Sequence, residues 1–336
     1  MARRGSLALT AANGVLPIGS GYALHPALTE TKALWDQGDA GIVMGVGYPN
    51  ADRSHFRSTD IWESGRPDAV VSSGWIGRWL DISGDPLHSV AVSYTLPRTL
   101  RGSSRSGVAV SGGTLAIPGT PAFRTAFSQL ATGDPADPTW ATTWVRSQSD
   151  LLRAQTVLNP ALSAANPAGS GLGVLTTPIG RSLAAVARMI RTSTVPTRVY
   201  ATSMGGFDTH EGQLPIHQVL LGQLDAAVGA FHRDLATNSG GHNVVTMVVS
   251  EFGRRLNSNA SLGTDHGTCA PVLVYGAPVR GGFYGAPASL TALDAQGDPI
   301  MTTDFRSVYA TVLSKALAAD PAAILGSSAF SPLAFL

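Results

Sequence analysis

The feature that most constrains the fold is a series of five short apolar runs, each ending in glycine or a small polar residue. The runs cover residues 41–47, 88–94, 197–203, 243–250 and 271–276. Continuous apolar runs of this length are typical of strands that are buried on both faces of a sheet. The sequence therefore predicts a sheet in the protein interior.

Helical patterns separate these runs. In residues 220–235 apolar side chains recur at three- and four-residue spacings, which predicts a helix packed along one stripe. Residues 182–190 and 304–317 are further helix candidates, and Asp304 is of a residue type that caps helix N-termini. Strands that alternate with helices indicate an α/β fold with a mostly parallel central sheet and helices on both faces. In such sheets ligands bind at the carboxyl ends of the strands.

The composition favours one compact domain. The 336 residues are 44% hydrophobic and 13% charged, which provides enough apolar surface for a core. Because large α/β domains reach this length, we expect residues 1–336 to form a single domain. Residues 102–173 are rich in Gly, Ser, Thr, Pro and Ala. We expect this segment to be a loop-rich cap or insertion within the domain.

The charge and the cysteine content exclude several classes of protein. The formal net charge is +1, so no overall field favours nucleic acid or an anionic membrane. No run approaches the roughly 18 apolar residues of a membrane-spanning helix. Cys269 is the only cysteine, so no internal disulfide can form. No sustained apolar segment follows Arg3 and Arg4, and we expect no signal peptide in this chain.

Three groups of acidic and histidine residues lie beside predicted strands. Asp208 and His210 follow the third run, and Glu251 follows the fourth. Asp265 and His266 immediately precede the fifth run. Oxygen and nitrogen ligands of this kind suit zinc or manganese. We expect the five residues to form a divalent-metal site, in which Asp265 either binds the metal or orients His266.

Taken singly, each group also has an ordinary structural interpretation. Asp208 could cap the segment that follows a glycine-rich turn, and Glu251 could pair with a neighbouring arginine at the surface. Asp265 and His266 could form a hydrogen-bonded turn before the strand. Three such groups beside neighbouring strands are harder to explain in this way. Together they favour a metal site.

A fourth group follows the first run, where Ser54 is flanked by Arg53, His55 and Arg57. A serine hydroxyl becomes a nucleophile when a metal or a base removes its proton, and arginine forks bind phosphate or sulfate oxygens. Ser54 is therefore a candidate catalytic nucleophile, and Arg53 and Arg57 are candidates for binding the anion. The alternative is that Ser54 caps a helix.

A set of short motifs spans nearly the whole chain. They are Arg53-Ser54-His55-Phe56, Gly206-Phe207-Asp208-Thr209-His210, Ser250-Glu251-Phe252-Gly253-Arg254-Arg255 and Gly263-Thr264-Asp265-His266-Gly267, with further matches at 24–28, 279–285 and 303–309. This combination resembles the bacterial DUF1501 family. That family is grouped with the alkaline-phosphatase-like superfamily, so the resemblance implies a parallel-sheet fold and metal-dependent cleavage or transfer of phosphate or sulfate esters.

The resemblance also implies roles for individual residues. Asp208 and His210 resemble the acid-and-histidine pair that binds one metal ion. Glu251 and His266 resemble the ligands of a second ion. Ser54 resembles the serine or threonine nucleophile of the superfamily, which implies a covalent phospho- or sulfo-enzyme intermediate.

The chain departs from the family pattern at its start. Family members usually begin with a twin-arginine leader for export and a first strand that ends in Gly-Gly-x-Asp-Gly, whose Asp resembles a bridging metal ligand. Here the first acidic residue is Glu30, within a predicted helix over 24–35. We therefore expect the first strand and its carboxylate to be missing, which would weaken a two-metal site.

The sequence supports two hypotheses about function. The first is a metal-dependent hydrolase-like protein that acts on small phosphate or sulfate esters, or a degenerate or N-terminally truncated relative. Its expected cofactor is a divalent metal ion, with zinc or manganese the best fit. The alternative is a noncatalytic binding or scaffolding protein of the same fold that uses the metal for stability. The sequence predicts neither the individual substrate nor the oligomeric state.

Overall fold

The computed structural model describes residues 3–166, 168–192, 194–238 and 240–336. The strands in these ranges are β1 (Leu16–Gly19), β2 (Tyr22–Leu24), β3 (Ala40–Gly47), β4 (Ser89–Val92), β5 (Val108–Val110), β6 (Val199–Ala201), β7 (Thr246–Val248), β8 (Ala270–Tyr275), β9 (Gly282–Tyr284) and β10 (Thr303–Asp304). The helices are α1 (Thr29–Gln37), α2 (His55–Ser64), α3 (Trp75–Ser83), α4 (Pro121–Gln129), α5 (Thr139–Ser163), α6 (Pro178–Arg191), α7 (Gln213–Ala236), α8 (Phe305–Thr311) and α9 (Pro321–Leu325). A π-helical segment, Val312–Ala316, extends α8.

The central sheet is mixed, with β3 in its interior. β3 pairs antiparallel with β8, and β8 pairs antiparallel with β7. β9 and β10 pair with β3 in parallel. The expectation of a mostly parallel central sheet is therefore wrong. Residues 249–269, all of them described, contain no helix, so the chain turns back beside β7 without the helical crossover that a parallel neighbour requires.

The second sheet is parallel and has the order β5-β4-β6. A core cluster beside it joins α5, α6 and α7, and includes the buried side chains of Val90, Leu158, Met189 and Phe231. Another cluster lies beside the central sheet, where Val43, Trp79, Val272 and Phe305 are buried. The protein is thus of the mixed α/β class, with helices covering both sheets.

Most of the predicted elements are present. The five apolar runs correspond to β3, β4, β6, β7 and β8, and the helix predictions correspond to α6, α7 and α8. Asp304 accepts a hydrogen bond from the backbone N–H of Arg306, so it caps α8 as predicted. The helix expected over 24–35 begins only at Thr29, because the chain first forms β2.

Residues 102–173, expected to be loop-rich, contain β5, α4 and the 25-residue helix α5. The second half of α5 buries Ala154, Leu158 and Leu162 in the core beside α6. Across the described ranges, no helix combines the length and the apolar composition that crossing a bilayer requires.

Candidate metal centre

The candidate residues lie at one edge of the central sheet. β3 and β7 run in the same direction, since both are antiparallel to β8. The loop after β3 leads to His55 at the start of α2, and the loop after β7 carries Glu251. Because β8 runs the opposite way, it begins at this edge, and Asp265 and His266 directly precede it. Because β8 is antiparallel to β3 and β7, the residues that precede β8 lie at the same edge as the residues that follow β3 and β7.

Asp208, in the loop after β6, lies at the centre of three histidine side chains. Its Oδ1 is 2.9 Å from Nε2 of His266 and 3.0 Å from Nε2 of His210. Its Oδ2 is 3.2 Å from Nε2 of His55. The Nε2 atoms of His210 and His266 are themselves 3.0 Å apart. Possible ligand atoms of His55, Asp208 and His266 all lie within 4.8 Å of one another, as binding to one metal ion requires.

The second ring nitrogen of each histidine faces an acceptor oxygen. The pairs are His55 Nδ1 with Glu251 Oε1 at 2.7 Å, His210 Nδ1 with Asp265 Oδ1 at 3.0 Å, and His266 Nδ1 with the carbonyl of Arg53 at 2.7 Å. Since ionised carboxylates and carbonyls only accept hydrogen bonds, each Nδ1 is the donor. In a neutral ring Nε2 then carries a lone pair. Three lone pairs thus face the Asp208 carboxylate, an arrangement that a bound cation would stabilise.

Close packing holds these rings in place. Phe252 is buried, and its ring centroid lies 4.8 Å from that of His55 and 4.7 Å from that of His266. Gly263 lies against the backbone of His210, where an added Cβ would be 2.1 Å from the His210 carbonyl carbon. Gly263 has no side chain, and this allows the two loops to approach each other closely.

Arg254 connects the loop that carries His210 with the segment that carries His266. Its Nη2 donates to Asp208 Oδ1 at 2.6 Å and to the Phe207 carbonyl at 3.0 Å. Its Nη1 donates to the carbonyl of Thr264 at 2.8 Å. The guanidinium therefore pairs with Asp208, and it fixes the loop after β6 to the segment before β8.

The electrostatics favour ionised carboxylates in the centre. Burial by itself would raise the pKa of Asp208, but the hydrogen bond from Arg254, joined by one from His266 when that ring is doubly protonated, holds this pKa well below its usual range. Burial would likewise raise the pKa of Glu251, yet the hydrogen bonds that it accepts, first of all the one from His55, give a net lowering. The same hydrogen bond raises the pKa of His55, against the smaller effect of its burial.

Asp265 is ionised for a similar reason and completes the charge balance. Hydrogen bonds from Asn259 and then His210 lower its pKa. The three carboxylates of Asp208, Glu251 and Asp265 together with the guanidinium of Arg254 give a net charge of −2 when the histidines are neutral. A divalent cation would neutralise this charge.

The centre is open to solvent on one side. The side chains of Asp208 and His210 keep 46% and 45% of their surface exposed. Those of Glu251 and His266 are more enclosed, at 27% and 22%. A small ligand can therefore reach the Asp208 side of the cluster, while the residues behind it are held by the protein.

The proposed catalytic group lies next to the cluster, but its arginines are engaged. Ser54 is exposed at the N-cap position of α2, and its side chain takes part in no capping hydrogen bond. Arg53 Nε donates to Asp298 Oδ2 at 2.9 Å, and Arg53 Nη2 lies 3.3 Å from Asp294. Arg57 Nη2 donates to the carbonyl of Pro67 at 3.1 Å.

Sequence reasoning did not identify His55 as part of the centre, nor Arg254 as the partner of Asp208. His55 follows β3 at the same sheet edge as the other residues, so its position after a predicted strand was a usable signal. No sequence pattern indicated that Arg254 would pair with Asp208 and not with Glu251, because that choice depends on how two distant loops meet.

Fold and centre together define a mixed α/β protein with a histidine–aspartate cluster at the edge of its central sheet. The family model described as "Protein of unknown function (DUF1501)" matches residues 145–325, more than half of the chain. The chain belongs to this family, as its motifs predicted. The matched range contains the five sequence-predicted metal ligands and leaves out His55. No curated protein and no solved structure gives a significant match.

Proposed function

We propose that the protein binds a divalent metal ion and is a metal-dependent hydrolase-like protein that acts on phosphate or sulfate esters. One observation carries the proposal: three imidazole Nε2 atoms converge on the Asp208 carboxylate, while each Nδ1 donates to an oxygen acceptor. Metal-ligating histidines characteristically donate their other ring N–H to a carboxylate or a carbonyl. The donor set of imidazole and carboxylate suits zinc or manganese.

The distances fit a metal of this kind. Ligand atoms at about 2.0–2.1 Å from a tetrahedral zinc ion lie about 3.3 Å from one another. Here the distances from Asp208 oxygens to the three Nε2 atoms range from 2.9 to 3.2 Å. In this proposal Asp208, His55 and His266, whose possible ligand atoms all lie within 4.8 Å of one another, hold the metal, and His210 joins them through Nε2, which lies 3.0 Å from Asp208 and from His266. The Glu251 and Asp265 carboxylates hold the imidazoles of His55 and His210.

The placement of Ser54 supports the hydrolytic part of the proposal. A divalent metal, when bound, supplies positive charge that polarises an ester oxygen. Ser54 is exposed beside His55, so its hydroxyl is available as the nucleophile. A distant relation to the alkaline-phosphatase-like enzymes is part of the proposal, and the collection of Asp, Glu and His residues at strand ends supports it.

A noncatalytic, metal-stabilised binding or scaffolding protein is the second candidate. The observation that favours it concerns the arginines beside Ser54. The guanidinium of Arg53 is paired with Asp298 and Asp294, and that of Arg57 faces backbone carbonyls. Neither guanidinium is then free to bind the nonbridging oxygens of an ester, which weakens the case for turnover and leaves the metal site unaffected.

Metal content and ester hydrolysis test the two candidates. The purified chain is stripped with a chelator, dialysed against zinc or manganese, and measured by elemental analysis. Aryl phosphate and aryl sulfate hydrolysis is then compared between the wild type and Ser54→Ala. We expect about one metal ion per chain, lost in His210→Ala and retained in the exposed-histidine control His242→Ala.

The possible outcomes distinguish the hydrolase from the noncatalytic candidate. Metal content near zero in the wild type would refute the metal centre. Bound metal with hydrolysis that Ser54→Ala abolishes supports the hydrolase. Bound metal without hydrolysis, or with hydrolysis that is unchanged in Ser54→Ala, supports the noncatalytic candidate or another nucleophile.

A further inference from the structure

Asp298 lies outside the histidine cluster but is connected to it through Arg53. Its side chain is fully buried, and its Oδ2 accepts from Nε of Arg53 at 2.9 Å and also from Nη2. The backbone carbonyl of Arg53 accepts the Nδ1–H of His266 at 2.7 Å. A continuous chain of contacts therefore runs from Asp298 to a candidate metal ligand.

The loop around Asp298 is rigidly built. The backbone N–H of Asp298 donates to Asp294 Oδ1 at 2.8 Å, and the N–H of Asp294 donates to the Asp298 carbonyl at 2.9 Å. The N–H of Gly297 closes the turn by donating to the Asp294 carbonyl at 3.0 Å. Asp298 is therefore a fixed point to which the Arg53 side chain is attached.

Burial makes this attachment strong. A carboxylate without water needs a cation close by, because an unpaired buried charge is costly. Within the described residues the second oxygen, Oδ1, has no hydrogen-bond partner, and Nε of Arg255 lies 3.8 Å from it. Arg53 is thus the main partner of Asp298, and removing the pairing would release the segment that begins α2.

We propose that Asp298 is a positioning residue of the metal centre. By fixing Arg53 it holds the carbonyl that keeps His266 in the Nδ1–H tautomer, with Nε2 directed at Asp208. The effect on metal affinity rests on the proposed function, whereas the effect on the His266 tautomer does not. The two effects can therefore be tested separately.

The tautomer is measured first, on the metal-free protein, by long-range ¹H–¹⁵N NMR of the histidine side chains at a pH where they are neutral. The wild type should show His266 as one tautomer, protonated at Nδ1. Asp298→Asn, which keeps the shape and removes the charge, should give a mixture of tautomers. His242 signals should not change, and Gln296→Ala, on the exposed tip of the same loop, should match the wild type.

Zinc affinity is measured second, by calorimetry. Asp298→Asn should bind zinc about 10–100-fold more weakly, the range found when an outer partner of a metal ligand is removed. Arg53→Lys, which keeps the carbonyl but loses the arginine fork, should weaken binding similarly. The double variant should be no weaker than either single variant, because the two residues act as one unit.

An unchanged His266 tautomer in folded Asp298→Asn overturns the inference. If that variant does not fold, the same NMR measurement on Arg53→Lys decides it. A wild type that binds no zinc refutes the proposed function, and the tautomer measurement still decides the role of Asp298. Zinc binding by the wild type with equal affinity in Asp298→Asn overturns the inference and leaves the metal centre intact.

Discussion

The Nε2 atom of His266 lies 2.9 Å from Oδ1 of Asp208, although the two residues are 58 positions apart. The other nitrogen of the same ring contacts the carbonyl of Arg53, 213 positions away. One imidazole thus joins the loop after β3, the loop after β6 and the segment before β8. Any ion bound here would crosslink three parts of the chain, so occupancy and stability should be coupled.

Metal removal should destabilise the wild type. When the free metal concentration is 100 times the dissociation constant, metal binding stabilises the folded state by about 2.7 kcal/mol. Urea unfolding with zinc and with excess chelator measures the difference in the free energy of unfolding. His210→Ala should unfold at the same urea concentration in both conditions. If zinc stabilised the wild type and His210→Ala equally, zinc would bind at a site other than the histidine cluster.

The carboxylates behind the histidines should matter less than the histidines themselves. Asp265→Asn and Glu251→Gln keep a hydrogen-bond acceptor beside the Nδ1 atoms of His210 and His55, so zinc binding should weaken about 10–100-fold. Calorimetric titration of each variant gives the affinity, with His266→Ala as the reference for a lost ligand. If Asp265→Asn binds no better than that reference, Asp265 is a direct ligand.

Gly263→Ala should disturb the centre through its backbone. The added Cβ would lie 2.1 Å from the His210 carbonyl carbon, so the two loops must separate. Overpacking of this kind costs about 1–3 kcal/mol. Urea unfolding and zinc titration should both show a loss. Gly205→Ala is the matched control, since no atom lies within 4 Å of its added Cβ; equal behaviour of the two variants would contradict the prediction.

His232 should make the fold sensitive to acid. Burial lowers its pKa to about 4, and its Nε2 lies 3.2 Å from Thr246 Oγ1. The ordinary histidine pKa is about 6.5, so below that pH the unfolded chain binds a proton that the folded chain does not. Stability is therefore complete above about pH 6.5 and falls as the pH drops towards 4, by roughly 3 kcal/mol in total.

Urea unfolding between pH 7 and pH 4 checks the His232 prediction. In His232→Gln the loss of stability over this range should be smaller than in the wild type, because the titrating group is gone. His242→Gln, at an exposed histidine, should retain the full loss. The same acid dependence in His232→Gln and in the wild type would show that burial of His232 is not the cause.

Helix α5 shows where local patterns are insufficient. Its serine and threonine residues suggested loops, because such side chains compete for backbone hydrogen bonds. In the folded helix they bond back to carbonyls four residues earlier, as Thr143 does to Thr139 at 2.9 Å and Ser163 to Asn159 at 2.6 Å. The helix is stabilised by burying residues such as Leu158 against α6, which is a tertiary effect.

The histidine cluster shows the same limit. The sequence identified Asp208, His210 and His266 by residue type and by position beside strands. It placed His55 only beside Ser54 and not among the metal ligands, although the position of His55 after a predicted strand was a usable signal. Only the folded chain places His55 Nε2 3.2 Å from Asp208.

The sequence by itself determined the five main strands, the helices with strong apolar stripes, and the residue types available for a metal. These depend on neighbours within a few positions, where periodicity and capping preferences act. The tertiary structure alone decided that β8 runs antiparallel, and which nitrogen faces which oxygen. Both depend on contacts between residues far apart in the chain, and such contacts leave no periodic mark in the sequence.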